Sequence, residues 1–278
     1  MPAFICETCG IQHEPSEVPP DRCAICNDER QYVGAAGQQW TTMQQLRDEH
    51  RADIRAQEPS LVGIGMQPSF AIGQRALLVQ APTGNVLWDC IPLLDDEIER
   101  EVRSLGGIEA IAISHPHYYS SMVEWAQAFD ARVYVHEADG DWVMRADSRV
   151  ELWDGETLEL GAGLTLLRLG GHFAGGAVLH WSAGQGGRGV LLSGDIVQVV
   201  ADRRWVSFMR SYPNLIPLPG AEVRRIAAAL EPYEFDRLYG AWFGRVVEGD
   251  AKAAVRRSAD RYLRALAGDP GSSAQRGV

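Results

Sequence analysis

The sequence predicts an α/β sandwich of layered sheets with a small metal-stapled module at its N-terminus. Three observations carry that expectation. Two Cys-x-x-Cys pairs fall within the first 26 residues. From residue 60 onward, short apolar strand-like runs alternate with helical segments in two successive blocks, the texture of a layered α/β fold. Three of those apolar runs lead directly into histidine- or aspartate-bearing motifs.

The chain has 278 residues and an apolar fraction of 46%, enough for one large domain with an appendage. No apolar run reaches the roughly 18–20 residues a bilayer crossing needs. The N-terminus, MPAFICETCG, lacks a basic segment followed by an apolar one, so cytoplasmic residence is expected. Net charge is −11, and basic pairs such as Arg203-Arg204 and Arg256-Arg257 are too sparse to form the stripe that grips a phosphate backbone. Nucleic acid and membrane are therefore not expected partners; a small-molecule substrate is.

Residues 1–36 form the first unit. Cys6-Glu7-Thr8-Cys9-Gly10 and Cys23-Ala24-Ile25-Cys26-Asn27 read as two metal-wrapping turns, each followed by a residue that tolerates positive φ. The intervening HEPSEVPPD is too proline-rich for a helix. So short a unit needs a staple, and four thiolates fit zinc, with iron in a rubredoxin-like site as the alternative. Residues 37–59 read as a polar helical connector with Met43, Leu46 and Ile54 as a thin apolar stripe, ended by Pro59.

The main domain is expected over 60–267. LVGIGM, RALLVQ and GNVLWD read as strands separated by Pro and Gly turns. DDEIEREVRSLG sets Ile98, Val102 and Leu105 on one helical face. IEAIAIS is a buried strand, SMVEWAQAFD a helix, RVYVH a strand and DGDWVMRAD a further helix. Strands follow at ETLELG, LTLLRLGG, GAVLHWS and GVLLSGD, then the helix GAEVRRIAAALEP, the strand DRLYGAW and a closing helix from Gly249. Residues 268–278 read as a flexible tail.

The chemistry lies in three motifs. His115-Pro116-His117 ends the strand IEAIAIS; in extended backbone residues two apart share a side, and Pro116 holds His115 extended. His172 follows Gly170-Gly171 and precedes Gly175-Gly176, where one strand hands over to the next. Asp195 ends GVLLSGD, where a carboxylate must be solvated, paired or metal-bound.

This order, His-x-His, then Gly-His-x-x-Gly, then Ser-Gly-Asp, each after an apolar strand, resembles the metallo-β-lactamase superfamily over about residues 60–265. The resemblance implies a four-layer αβ/βα sandwich with a metal site at the strand ends. It implies that His115, His117 and His172 ligate a first metal and that Asp195 is the aspartate which bridges two metals in di-metal relatives. The departures are equally specific. Tyr119 stands where the family's first motif has aspartate, and Ser120 where it has a further histidine. No histidine follows the late strand near Tyr239-Gly240-Ala241-Trp242; the last of the seven is His180. The second metal site has thus lost one aspartate and two histidines, and a single metal is expected, zinc first, with iron or manganese as alternatives.

Asp195 is assigned as both ligand and catalytic group, and Tyr118 or Tyr119 as a hydrogen-bond donor to an oxyanion or leaving group. The implied activity is hydrolysis of an ester, thioester or lactone-type bond. Two other readings stand beside it: a non-catalytic metal-binding or regulatory protein, and an iron oxidoreductase drawing on iron in the cysteine module. His136 and His180 read as solvated and packed histidines, and Cys90 as a small buried hydrophobe. Trp205, Phe208, Met209, Arg210 and Tyr212, ahead of PNLIPLPG, are either core or an overhang above the site.

Overall fold

The computed structural model describes residues 1–269. Two sheets face each other. The first is seven-stranded, in spatial order Val150–Trp153, Arg132–His136, Ala110–Ala112, Val86–Trp88, Ala76–Val79, Leu61–Gln67, Arg51–Glu58. Its strands from Val86–Trp88 to Val150–Trp153 run parallel. The second is six-stranded: Thr157–Gly161, Leu164–Arg168, Ala177–Trp181, Val190–Gly194, Arg237–Gly240, Val246–Val247.

Successive strand residues point to opposite faces. In Ala76–Val79, Leu77 and Val79 enter the core between the sheets, while Ala76 and Leu78 face outward beneath helices. A strand buried on both faces is apolar at every position, which is why ALLV and VLL read as continuous runs. Helices Asp96–Ser104 and Met122–Phe129 cover the first sheet with Ile98, Val102, Met122 and Trp125. Helices Gly220–Leu230 and Ala251–Leu266 cover the second with Val223, Ile226, Val255 and Ala259. The layers run helix, sheet, sheet, helix, as the resemblance implies. Asp95 caps its helix, its side chain accepting from the Ile98 N–H at 2.8 Å, with Asp96, Glu97 and Glu99 in the first turn.

Three segments differ from the sequence expectation. The connector is helical only over Met43–Glu49; Arg51–Glu58 is a strand, paired antiparallel with Leu61–Gln67 from Arg51↔Gln67 to Glu58↔Leu61. Ala52 and Ile54 pack against the core, a period of two that the surrounding charges disguised, and Pro59 with Ser60 forms a hairpin turn rather than a helix end. DGDWVMRAD is no α-helix: a 3-10 segment spans Glu137–Trp142, and two aspartates and a glycine make poor α-helical interior. The module also crosses the expected boundary at residue 36. Its sheet, Gln12–Pro15, Ala3–Cys6, Trp40–Thr42, needs Trp40–Thr42 as an edge. The expected tail lies outside the described residues from 270 onward.

The module is not a loose appendage. Ile5, Cys6, Cys9, Ile11, Cys23, Ile25 and Cys26 belong to the same apolar cluster as Tyr118, Met122 and Trp125. The Gln12 N–H donates to the Ser120 carbonyl at 3.1 Å, and Arg145 bridges Gln12 and Glu124.

Candidate metal centre

Each motif leaves a strand at the same end of the sandwich. After Ala110–Ala112, the Ser114 N–H donates to the buried Asp89 carboxylate at 2.8 Å, which fixes the exit of the chain. His115 is extended (φ −173°), as expected. His117 is not: it lies in a 3-10 turn over Pro116–Tyr118, because proline suits a first helical position. The turn still brings the two rings to 5.1 Å between centroids. Gly171 has φ +81°, and a Cβ there would lie 2.9 Å from Leu218 Cδ1, so only glycine lets the loop deliver His172. Gly194 (φ +54°) likewise precedes Asp195, where a Cβ would lie 2.9 Å from Ser114 Oγ.

Ligand-capable nitrogens of His115, His117 and His172 all lie within 4.8 Å of one another and are buried. Nδ1 of His115 is engaged by Ser114 Oγ at 2.9 Å and Nδ1 of His172 by the Met209 carbonyl at 3.2 Å, so in both rings Nε2 faces the cluster. His172 Nε2 lies 3.1 Å from His117 Nδ1, and His115 Nε2 lies 3.3 Å from Asp195 Oδ1. A tetrahedral zinc with nitrogen ligands sets neighbouring donors about 3.3 Å apart. Burial holds all three imidazoles below their usual pKa, which leaves them neutral with free lone pairs. His115 Nε2 has no hydrogen-bond partner among the described residues. The donor set fits a metal ion.

Asp195 stands beside His115 but outside the compact trio. Burial pushes its carboxyl above the usual range, against the opposing pull of His172 and the Tyr118 hydroxyl. Its backbone is held by Tyr212, whose hydroxyl donates to the Asp195 carbonyl at 2.8 Å. Tyr118 stacks edge-on against His115 at 4.4 Å, and burial with the Asp195 charge keeps its phenol protonated. Tyr119 is placed elsewhere. Neither tyrosine lines the metal cavity, but the Tyr119 hydroxyl donates to the Asp139 carbonyl at 3.2 Å, whereas that of Tyr118 lies beside Asp195. The expectation that Tyr119 serves as a donor at the site is corrected accordingly. Ser120 is also used structurally, its Oγ accepting from Gln74 Nε2 at 3.0 Å. Among the described residues, the clusters of metal-capable groups are this trio and the four cysteines.

A cavity of about 290 Å³ opens above His117, His172 and Asp195. Tyr212 and Pro213 overhang it, whereas Phe208 is core. Ala71, Ile72, Trp242 and, from the cysteine module, Thr8, Gln31 and Tyr32 complete its wall. Sequence reasoning missed these six; no periodicity links residue 31 to residue 172. Of the remaining candidates, both His136 nitrogens are engaged, by Gly155 and Ala138, and His180 Nε2 meets the Glu234 carbonyl at 2.8 Å. Cys90 is fully buried.

In the module, Sγ of Cys6 and Cys26 are 3.5 Å apart and those of Cys9 and Cys23 3.6 Å. A tetrahedral zinc–thiolate site sets sulfurs about 3.8 Å apart, so these four also fit a metal. Gly10 takes the positive φ expected of it (+79°), while Asn27 instead ends a short helical turn, Ala24–Asn27. Gln38 Nε2 donates to Cys6 Sγ at 3.1 Å.

The fold and this site define a metal-binding member of the metallo-β-lactamase class. Residues 71–241 match the family model described as the metallo-beta-lactamase superfamily, and the chain belongs to that superfamily. It is 53% identical over 268 residues to the uncharacterized protein YmaE of Bacillus subtilis (strain 168), covering 96% of this chain and 97% of that one. Among solved structures, VMB-1 is similar with a TM-score of 0.59 at 13% identity, over 78% of this chain and 98% of that one. The DIM-1 metallo-beta-lactamase gives a TM-score of 0.59 at 15% identity, with the same shares covered. At such identities these structures speak for the fold alone. Among the described residues, no helix is long and apolar enough to cross a membrane.

Proposed function

We propose that the protein is a hydrolase with a single metal, zinc, at His115, His117 and His172, acting on an ester, thioester or lactone-type bond of a small molecule. The observation that carries this reading is the buried, neutral histidine trio, two of whose members, His117 and His172, line an open cavity together with the Asp195 carboxylate. Three protein ligands with a position left open is the pattern of catalytic rather than structural zinc. When bound, the metal supplies a Lewis acid and a water of lowered pKa.

The chain's own residues supply the rest. Asp195, its backbone locked by Tyr212, accepts the proton of the attacking water on its carboxylate. The Tyr118 hydroxyl keeps its proton and is a donor beside that carboxylate. Ile72, Trp242 and Tyr32 line the cavity with apolar and aromatic surface. The cysteine module takes a second zinc as a structural staple, consistent with a reducing, cytoplasmic setting.

The test is a screen of zinc-replete protein against nitrophenyl esters, thioesters and lactones, repeated with His115→Ala. Turnover by the wild type and a loss of at least about a hundredfold in the variant are expected. Equal turnover by both contradicts the reading.

A further inference from the structure

Away from the metal ligands, the cavity wall is largely apolar, and part of it comes from the cysteine module. Thr8, inside the first cysteine pair, and Tyr32, after the second, line the cavity together with Ala71, Ile72, Pro213 and Trp242. The Trp242 Nε1–H donates to the Ile72 carbonyl at 3.1 Å, so the polar atom of that ring is already used within the wall. Among the described residues, no lysine or arginine lines the cavity. A carboxylate or phosphate carried away from the metal would find no counter-charge there. At about 290 Å³ the space is at the lower end of small-molecule sites.

Tyr32 differs from the rest of this wall. It lines the cavity yet is 51% exposed, so its side chain is open to solvent at the cavity mouth. Among the described residues, that side chain makes no hydrogen bond and no ring contact. One exposed aromatic is ordinary on a protein surface, but the backbone leading to this one is fixed. Asn214 Nδ2 donates to the carbonyls of Glu29 and Gln31, both at 2.9 Å, and Ser211 Oγ donates to the Arg30 carbonyl at 3.0 Å. Arg30 lies 3.8 Å over the Phe173 ring and donates to the His172 carbonyl at 3.4 Å. Tyr32 thus follows three consecutive residues tied to the sandwich, on a support that also touches the histidine loop. A ring held there and left wet is apolar surface that a ligand extending from the cavity would cover.

We propose that Tyr32 is a specificity-determining residue: the cysteine module sets its ring at the cavity mouth, where it packs against the uncharged, apolar chain of an acyl substrate. The acyl group belongs to the metal-hydrolase reading, on which this proposal rests, but the test reads binding rather than turnover. The reacting carbonyl lies by the histidine trio, and the chain runs outward along the apolar wall to end on Tyr32. The ring does this and its hydroxyl does not, so phenylalanine would serve equally well at this position.

The probes are straight-chain alkanoyl hydroxamates from acetyl to octanoyl, which bind metals without being hydrolysed. Titration calorimetry on the full-length, zinc-replete protein is expected to show affinity rising up to about threefold per added methylene, and at least about thirtyfold from acetyl to octanoyl. A hexanoyl hydroxamate ending in a carboxylate should bind at least about tenfold more weakly than its uncharged parent. Tyr32→Ser, at a half-exposed position, should cut the octanoyl advantage at least about fivefold and leave acetyl affinity within about twofold. Tyr32→Phe should keep the whole advantage.

The proposal is overturned if affinity does not rise with chain length, if the carboxylated probe binds as well as its parent, or if the rise survives intact in Tyr32→Ser. It is equally overturned if Tyr32→Phe loses as much as Tyr32→Ser, or if Tyr32→Ser weakens acetyl and octanoyl probes alike, which would make the residue structural. An acetyl probe that binds wild type without any chain preference leaves the metal reading standing and contradicts only the role of Tyr32. If no hydroxamate binds protein whose zinc content has been verified, the metal reading and this one fall together.

Discussion

At the scale of single residues, two adjacent tyrosines with similar sequence prospects part company. Tyr118 presents its hydroxyl near Asp195, whereas the Tyr119 hydroxyl is engaged by the Asp139 carbonyl. On a substrate found by the screen, Tyr118→Phe is expected to lower kcat roughly tenfold to a hundredfold. Tyr119→Phe should leave kcat within about twofold and cost about 1 kcal/mol of stability, through the lost bond to a buried carbonyl. Equal kinetic losses in the two variants would show that this division is wrong. Asp139 itself carries a pH signature. It is buried, its Oδ1 accepts from the Gly175 N–H at 2.9 Å, and burial pushes its carboxyl up to about 6. The unfolded value is about 3.9, so between about pH 4 and 6 the folded state binds more protons than the unfolded one. This group therefore lets stability fall as pH rises through that window. Asp139→Asn retains an acceptor for Gly175 and should gain about 1–2 kcal/mol over wild type at pH 7, with little gain at pH 4. Melting curves at the two pH values check this; a gain of the same size at both would contradict it.

At the scale of elements, the module and the sandwich are one packing unit, since the cysteine knuckles share a cluster with the helix Met122–Phe129 and carry Gln31 to the cavity. Cys23→Ser is expected to cost about 3 kcal/mol or more and to lower Tm by roughly 6–12 °C. A Tm within about 2 °C of wild type in the folded variant would make the module an independent ornament. This coupling was not legible beforehand, because nothing local in residues 27–32 records a contact with residues 210–214. The strand Arg51–Glu58 was illegible for a different reason. Polar, helix-compatible residues fill it, and only its hairpin pairing with Leu61–Gln67 decides its conformation. By contrast the apolar runs that became buried strands were plain, because burial on both faces leaves no freedom of composition.

At the scale of the whole molecule, the two sheets each bring part of the site. His115 and His117 follow a strand of the first, His172 and Asp195 follow strands of the second, and neither half alone gathers the trio. The histidine motifs were readable because His-x-His, Gly-His-x-x-Gly and Ser-Gly-Asp occur in one order, each after an apolar strand, although each alone has ordinary structural uses at a strand end. That Asp195 stands beside His115 yet outside the trio was not readable, since that depends on loop placement to within an ångström or so. Metal held only by the assembled fold must stabilise it, so chelation should lower Tm and added zinc restore it in a concentration-dependent way. A Tm indifferent to both would argue that neither cluster binds the ion. The most direct test of the central claim is an anomalous-difference map at the zinc edge from crystals of zinc-replete protein. The account predicts two peaks per chain, one among His115, His117 and His172 and one among Cys6, Cys9, Cys23 and Cys26. A histidine cluster without a peak, or with a second ion beside the first, would contradict it.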